Sequence, residues 1–425
     1  MTLRYVRSGA SGSNNGTSWT NAYTTLLAAL TAAAAGDTIY VSEDHSESSS
    51  SLLKFTSPGT VTSPVKVVCV DHAGSVPPVS ADIRTTAQLT TTSGATIAFD
   101  TSDSFTVYDG LKFTSNSGIN FAWNPRVSLK FRNCALKQSG SGGSYTQQQS
   151  GARTVLENTT LEFGSTTQPM LIDNEFLWRN TPSAIQGATI PSTLFSTAVG
   201  NIECDGVDLS AVSGTIFGAA TNQVMRGKLI DCKINASVTI AATPTKYGSI
   251  EYTRCDSGGT NYKHGKITYA GNQSVETTIV LTGGASDGTT TISWKIVTTA
   301  NCSEFFPFES LPIAIWNDTT GSSVTATVQG IWGGGAVPNN DDIWCDVEYL
   351  GASGSPLASF VNDGKADILA SNAAQDAGSG TWGGSTTKFK LNVSFTPQQK
   401  GWILLRVKAA KASSTFYIDP KITLS

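Results

Sequence analysis

The sequence predicts an all-β protein: a parallel β-helix with a short N-terminal capping helix, followed by an antiparallel β-sandwich of jelly-roll-like type. Three observations predict it. The composition favours strands and turns. A polar-then-small pair recurs every 22 to 28 residues through the middle of the chain. Near residue 268 that repeat gives way to alternating strands separated by turn residues.

The composition also excludes. The chain has 425 residues, 41 of them glycine, with 14% charged and 39% hydrophobic residues. It is rich in Thr, Ser, Gly, Asn and Val, not in the Ala, Leu, Glu and Lys of helix bundles. Lys and Arg number 28 against 32 Asp and Glu, which leaves no electrostatic footprint for nucleic acid. The apolar run Leu26 to Ala35 is too short to span a bilayer, so no membrane partner is expected. The start, Met1 to Arg7, lacks the apolar stretch of a secretory signal. Such surface chemistry without an export address fits a particle assembled in the host cytoplasm and released by lysis. A secreted chain whose signal has been removed fits as well; of the two, the exterior of a virion is the expected location.

Residues 1–36 form the expected cap. Tyr5-Val6 reads as a strand, followed by a Gly/Ser/Asn loop and a helix with Leu26, Leu27 and Leu30 on one side. Gly36 stands where a helix end wants a left-handed residue. A solenoid leaves an open apolar end with unpaired strand edges, and this helix is the expected lid.

Residues 37–268 carry the repeat and the expected β-helix. Its instances are Asp109-Gly110-Leu111, Asn133-Cys134, Asn158-Thr159, Asn180-Thr181, Glu203-Cys204, Asp231-Cys232 and Arg254-Cys255. In stacked coils about 4.8 Å apart, equivalent side chains lie over one another. A small residue fits indoors at such a corner, and Asn or Asp before it tolerates left-handed geometry. Cys134, Cys204, Cys232 and Cys255 occupy this one position and are expected to form a structural stack. The seven cysteines are widely spaced with no Cys-x-x-Cys pair, so reduced, buried thiols are expected and no metal site. The low-complexity segment from Ser139 to Gly151 reads as a projecting loop.

Residues 269–425 read as seven or eight antiparallel strands, including those around Trp294, Trp344 and Trp402, which are expected to be core. Trp332 and Trp382 stand in Gly-rich stretches and are candidates for a subunit interface or for stacking on glycans.

The opening pattern is Tyr5-Val6, Asn15 to Trp19, Ala22, Leu26, Ala29-Leu30 and Gly36 to Val41. It resembles the N-terminal cap and first coil of pectate-lyase-like β-helix proteins, which implies a right-handed helix. The last third carries Pro307 to Ile313, Trp316-Asn317-Asp318, Asp342-Ile343-Trp344 and Phe416 to Ile422. It resembles the C-terminal module of tailed-phage virion proteins. Together the resemblances imply a phage structural protein, either capsid decoration or a spike or fibre. Its implied partners are copies of itself, as a homotrimer, and other virion proteins. The alternative is a tailspike or head spike that binds or hydrolyses host surface polysaccharide.

Hydrolysis of a glycoside needs two carboxyls about 5–9.5 Å apart, which neighbouring coils can supply. The candidates are Glu157 and Glu162, Asp173 and Glu175, and Glu203, Asp205 and Asp208. Most fall at turn corners, where Asp and Asn have structural work, and no catalytic residue is assigned. The Asn339 to Asp342 turn reads as a solvated loop that could hold a cation. His45, His72 and His264 have no neighbours in sequence that make a triad. No cofactor motif is present, and none is expected.

Overall fold

The computed structural model describes residues 2–100, 102–196, 199–218, 224–242, 248–258, 262–270, 273–280, 293–299, 311–332, 343–350, 358–361, 388–409, 411–419 and 422–425. The chain divides into two compact units. One comprises residues 1–242 and 252–262, the other residues 243–251 and 263–425.

The first unit is a parallel β-helix. Its longest sheet stacks Leu3–Val6, Thr38–Ser42, Val65–Val70, Phe105–Asp109, Ser128–Arg132, Arg153–Glu157, Asn174–Thr181, Val199–Leu209 and Val224–Ile230. A second parallel sheet runs from Ser46–Ser49 to Ile185–Gln186. The third has eight strands, from Leu53–Thr56 to Thr239–Ala241. Six successive coils, from that of Thr38–Ser42 to that of Asn174–Thr181, contribute one strand to each face, and register is kept residue for residue. Tyr108, Phe131, Leu156, Trp178, Cys204 and Leu229 lie opposite one another in succession.

That register puts large apolar side chains indoors, in files. Phe99, Phe113, Phe121, Phe131, Phe176, Phe195 and Phe217 are fully buried, and Phe195 stacks on Phe217 at 5.6 Å. The buried polar tips find partners, as burial requires. The Tyr145 hydroxyl donates within 2.8 Å of both the Leu136 and the Glu162 carbonyls, and Trp178 Nε1 donates to the Thr159 carbonyl at 3.0 Å. Tyr145 belongs to the strand Tyr145–Gln147 of the third sheet. The segment expected to project as a loop therefore supplies a rung, because one buried aromatic outweighs its Gly/Ser-rich flanks.

The helix Leu26–Ala32 is present, with Leu26, Ala29 and Leu30 buried. Thr25 is its N-cap, its hydroxyl accepting the Ala28 N–H at 3.3 Å. Leu27, by contrast, is exposed.

Among the described residues the second unit builds two antiparallel sheets from eight main strands, to the third of which the short Thr423–Leu424 also pairs. In chain order they are Ser293–Thr298, Leu311–Asn317, Val324–Trp332, Ile343–Leu350, Ala358–Val361, Lys388–Phe395, Gly401–Ala409 and Thr415–Ile418. The first, eighth, third and sixth are neighbours in one sheet. The second, seventh, fourth and fifth are neighbours in the other. This is the strand order of a jelly roll, two Greek keys folded face to face. One core draws on both sheets, including Ile296, Val328, Phe416, Val347, Leu405 and Val407. The hairpin Lys263–Ala270 and Gln273–Val280 precedes it and pairs onto its first strand.

Candidate functional site

From the coil of Phe105–Asp109 onward, each coil turns its first corner through a residue of positive φ. These are Gly110, Asn133, Asn158, Asn180, Gly206, Asp231 and Arg254, spaced 22 to 26 residues apart. Gly110 also needs its missing side chain, since a Cβ would lie 2.1 Å from the Arg84 carbonyl. Asparagines link successive corners. Asn158 Nδ2 donates to Asn133 Oδ1 at 2.8 Å, and Asn133 Nδ2 donates to Asp109 Oδ1 at 2.9 Å.

The residue after each corner forms the indoor file: Leu111, Cys134, Thr159, Thr181, Val207, Cys232 and Cys255. Cysteine and threonine play one part here. Thr159 and Thr181 donate their hydroxyls to the carbonyl two residues back, at 3.0 and 2.8 Å. The Cys134, Cys232 and Cys255 thiols face the equivalent carbonyls at 3.2, 3.3 and 3.7 Å. Cys204 stands elsewhere, within a strand between Trp178 and Leu229, because its coil turns at Gly206 and not at Glu203. It still adjoins the file, its carbonyl lying 3.3 Å from the Cys232 sulfur. The six described cysteines are buried thiols outside any disulfide, and Cys302 lies outside the described residues. Burial pushes the Cys134 thiol up to about 12 and raises that of Cys204 as well. The Cys134 and Cys204 sulfurs are packing groups, and burial disfavours their nucleophilic thiolate form.

Most of the candidate carboxylates are tied to cations of an adjacent coil. Glu157 pairs with Lys130. Glu162 pairs with Lys137 at 2.7 Å, Glu175 with Arg153 at 3.0 Å, Glu203 with Arg179 at 2.7 Å and Asp208 with Lys233 at 3.6 Å. Along one outward column the sign alternates coil by coil, through Asp109, Arg132, Glu157, Arg179 and Asp205. Asp205 helps hold the Arg254 guanidinium charged, and Asp173 sits at the corner before the strand Asn174–Thr181. Glu157 and Glu162 occupy different sheets and do not face one site. Glu203 and Asp205 share one face of one strand, about 7 Å apart by strand geometry.

Lys130, Arg153 and Arg179 also border a recess of about 280 Å³ on this face, lined in addition by Val155 and Leu177. Their guanidinium and ammonium groups are already engaged by Glu157, Glu175 and Glu203. Among the described residues, Glu43, Asp71 and His72 bring one metal-ligating atom each within 4.8 Å of one another. No spacing in the sequence announces this group, because Glu43 comes from one coil and Asp71 and His72 from the next. His72 Nδ1 lies 2.9 Å from Glu43, and Arg84 pairs with Asp71 at 2.9 Å, so a cation there would compete with bonds already made.

In the jelly roll, Trp332 is the last residue of its strand, opposite Phe416, not part of a Gly-rich loop. Trp382 and the Asn339 to Asp342 turn lie outside the described residues. Trp294 packs partly buried against the core. Trp402, expected indoors, is 64% exposed, and its cross-strand partner Trp316 is 49% exposed. Their ring centroids are 5.6 Å apart at 79°.

No family model matches the chain, and no curated protein matches it. Among solved structures it is similar to the enzymatically active domain of tailspike protein 4 of bacteriophage CBA120. The identity is 11% and the TM-score 0.22, over 92% of this chain and 64% of that one. The chain thus spans under two thirds of that protein's length. No helix among the described residues is long and apolar enough to cross a membrane.

Proposed function

We propose that the chain is a structural component of a bacteriophage particle, as capsid decoration or as a spike or fibre on its exterior. It works mechanically, assembling with copies of itself as a trimer and with other virion proteins. The observation that carries this reading is the use made of the solenoid's charges. Glu157, Glu162, Glu175, Glu203 and Asp208 each bind a cation one coil away. The outer faces are spent on tying coil to coil, which stiffens a rod and leaves little for chemistry. Immunogold labelling of purified particles tests it. Regular labelling of the particle surface is the expected result, and particles that carry none of the chain overturn it.

The second reading, a spike that hydrolyses host polysaccharide, is favoured only by Glu203 and Asp205 sharing a face at a spacing that suits an inverting mechanism. Arg179 on Glu203 counts against it, because the carboxylate is already engaged in an ion pair with the neighbouring coil. Release of oligosaccharide from host surface glycans, abolished by Glu203→Gln, would establish this reading instead.

A further inference from the structure

We infer that Trp316 and Trp402 form a saccharide-binding corner on the outer face of the jelly roll, one that takes a pyranose ring. The inference stands apart from the virion reading, because it rests on a different unit of the chain. The two residues face each other across neighbouring strands, Leu311–Asn317 and Gly401–Ala409, at a directly paired position. Strand alternation sends both rings outward while Ile403, Leu405 and Val407 go to the core.

The corner is preformed. Trp316 Nε1 donates to Asp318 Oδ1 at 3.0 Å, which fixes the indole's orientation before any ligand arrives. The 79° between the rings lets one indole face lie under a sugar while the other walls its edge. Exposed Ala314 lies on the same strand face as Trp316, and half-buried Leu404 on that of Trp402. The rim is polar and charged. Asp318 and Lys400 have exposed side chains 3.7 Å apart, and Arg406 pairs with Glu348. Asp318 Oδ2 has no partner among the described residues and remains free to accept from a hydroxyl.

A pyranose matches this chemistry, with C–H groups on one face for an aromatic surface and hydroxyls around its edge for carboxylate and ammonium. A second copy of the chain matches it poorly. Rings 49% and 64% exposed offer about 250 Å² together. A stable protein interface buries about 800 Å² on each side. The charged rim, furthermore, interrupts any wider apolar patch.

The test follows the indole N–H signals of Trp316 and Trp402 by NMR in the full chain, assigned with Trp316→Phe and Trp402→Phe. Glucose, galactose and rhamnose are titrated in, with sorbitol as an open-chain polyol control. The expected result is a saturable shift of both signals with at least one pyranose and none with sorbitol. Trp402→Ala weakens that binding about tenfold or more. Tyr262→Ala, which removes an exposed ring from the other unit, leaves it unchanged. No saturable shift with any of the three sugars, or equal shifts with sorbitol, overturns the proposal. So does sedimentation showing self-association that Trp402→Ala dissolves, since the corner would then belong to a second copy.

Discussion

Glu47 caps the helix Leu26–Ala32 from outside it: its Oε2 accepts the backbone N–H of Leu26 at 2.9 Å across 21 positions of sequence. The first N–H groups of any helix lack intrahelical partners, and this one is buried with the 0%-exposed Leu26. Thr25 serves the Ala28 N–H, so the two acceptors divide the work. His45 Nε2 lies 3.4 Å from the same Glu47 oxygen.

Glu47→Ala strips an acceptor from a buried N–H and leaves the buried His45 without its neighbour. The expected cost is about 2–3 kcal/mol in urea unfolding. Glu47→Gln keeps an acceptor in place and loses less. Equal losses for the two variants would show that the carboxylate's charge, not its acceptor role, holds the helix.

The indoor file makes a sharper prediction. Because Cys134 and Cys232 occupy the place that Thr159 and Thr181 fill with the same donor pattern, Cys232→Thr is expected to cost under about 1 kcal/mol. Cys232→Val keeps the volume and loses the donor, for about 1 kcal/mol. Neither native thiol is expected to react with iodoacetamide until the chain unfolds, since burial holds Cys134 near 12.

This file was legible because small residues after polar ones recur at the coil period. Its one misplaced member shows where the signal runs out. In the coil of Cys204 the corner is Gly206, preceded by Asp205 as Gly110 is by Asp109, and the strand continues through it to Leu209. Glu203-Cys204 and Asp205-Gly206 both fit the polar-then-small pattern two residues apart, and side-chain type alone does not choose between them. Trp402 was misjudged for another reason. It shares strand parity with Leu404, Arg406 and Lys408, and the two cations on that parity mark the outer face. The alternation was present in the sequence but was outweighed by the size of the ring. Glu47, in a run of serines, carried no signal at all, since its partner is contributed by the fold.

The corners themselves predict a split between geometry and bonding. Asn133 holds φ 54° and links Asp109 to Asn158. Asn133→Gly keeps the left-handed corner and loses two side-chain bonds, for about 1–2 kcal/mol. Asn133→Val adds the strain of a β-branched residue at positive φ, a further ~1–2 kcal/mol. Thermal unfolding of the pair separates the two contributions.

Asp44 gives a pH dependence. Hydrogen bonds from the Arg7 guanidinium, opposed by burial and helped by the Ser42 hydroxyl, hold its carboxyl down at about 2. A depressed carboxyl stabilises the fold above its ordinary value of 3.8, and that stabilisation is lost as pH falls through about 2. Arg7→Leu is expected to move the NMR titration midpoint of Asp44 upward towards 3.8. Both side chains are partly exposed, so stability at neutral pH changes little. An unmoved midpoint would assign the depression to Ser42.

The charge ladder is uneven, and burial decides where it matters. Asp109 is 1% exposed and receives Arg132 at 3.0 and 2.6 Å and Asn133 at 2.9 Å. Asp231 is 47% exposed and receives Arg254 at 2.6 Å through both nitrogens. The second pair has the shorter bonds, yet water can replace them. Arg132→Ala leaves a buried carboxylate with a single donor, so the expected loss is about 3 kcal/mol. Arg254→Ala is expected to change stability little, since water replaces the guanidinium at an exposed carboxylate. It also keeps a non-glycine residue at positive φ, so the comparison isolates the ion pair. Urea unfolding at low and high salt checks both variants: the Arg254 effect should fade with salt and the Arg132 effect should persist. If both faded alike, solvent would be reaching Asp109, and the ladder would be a surface feature along its whole length.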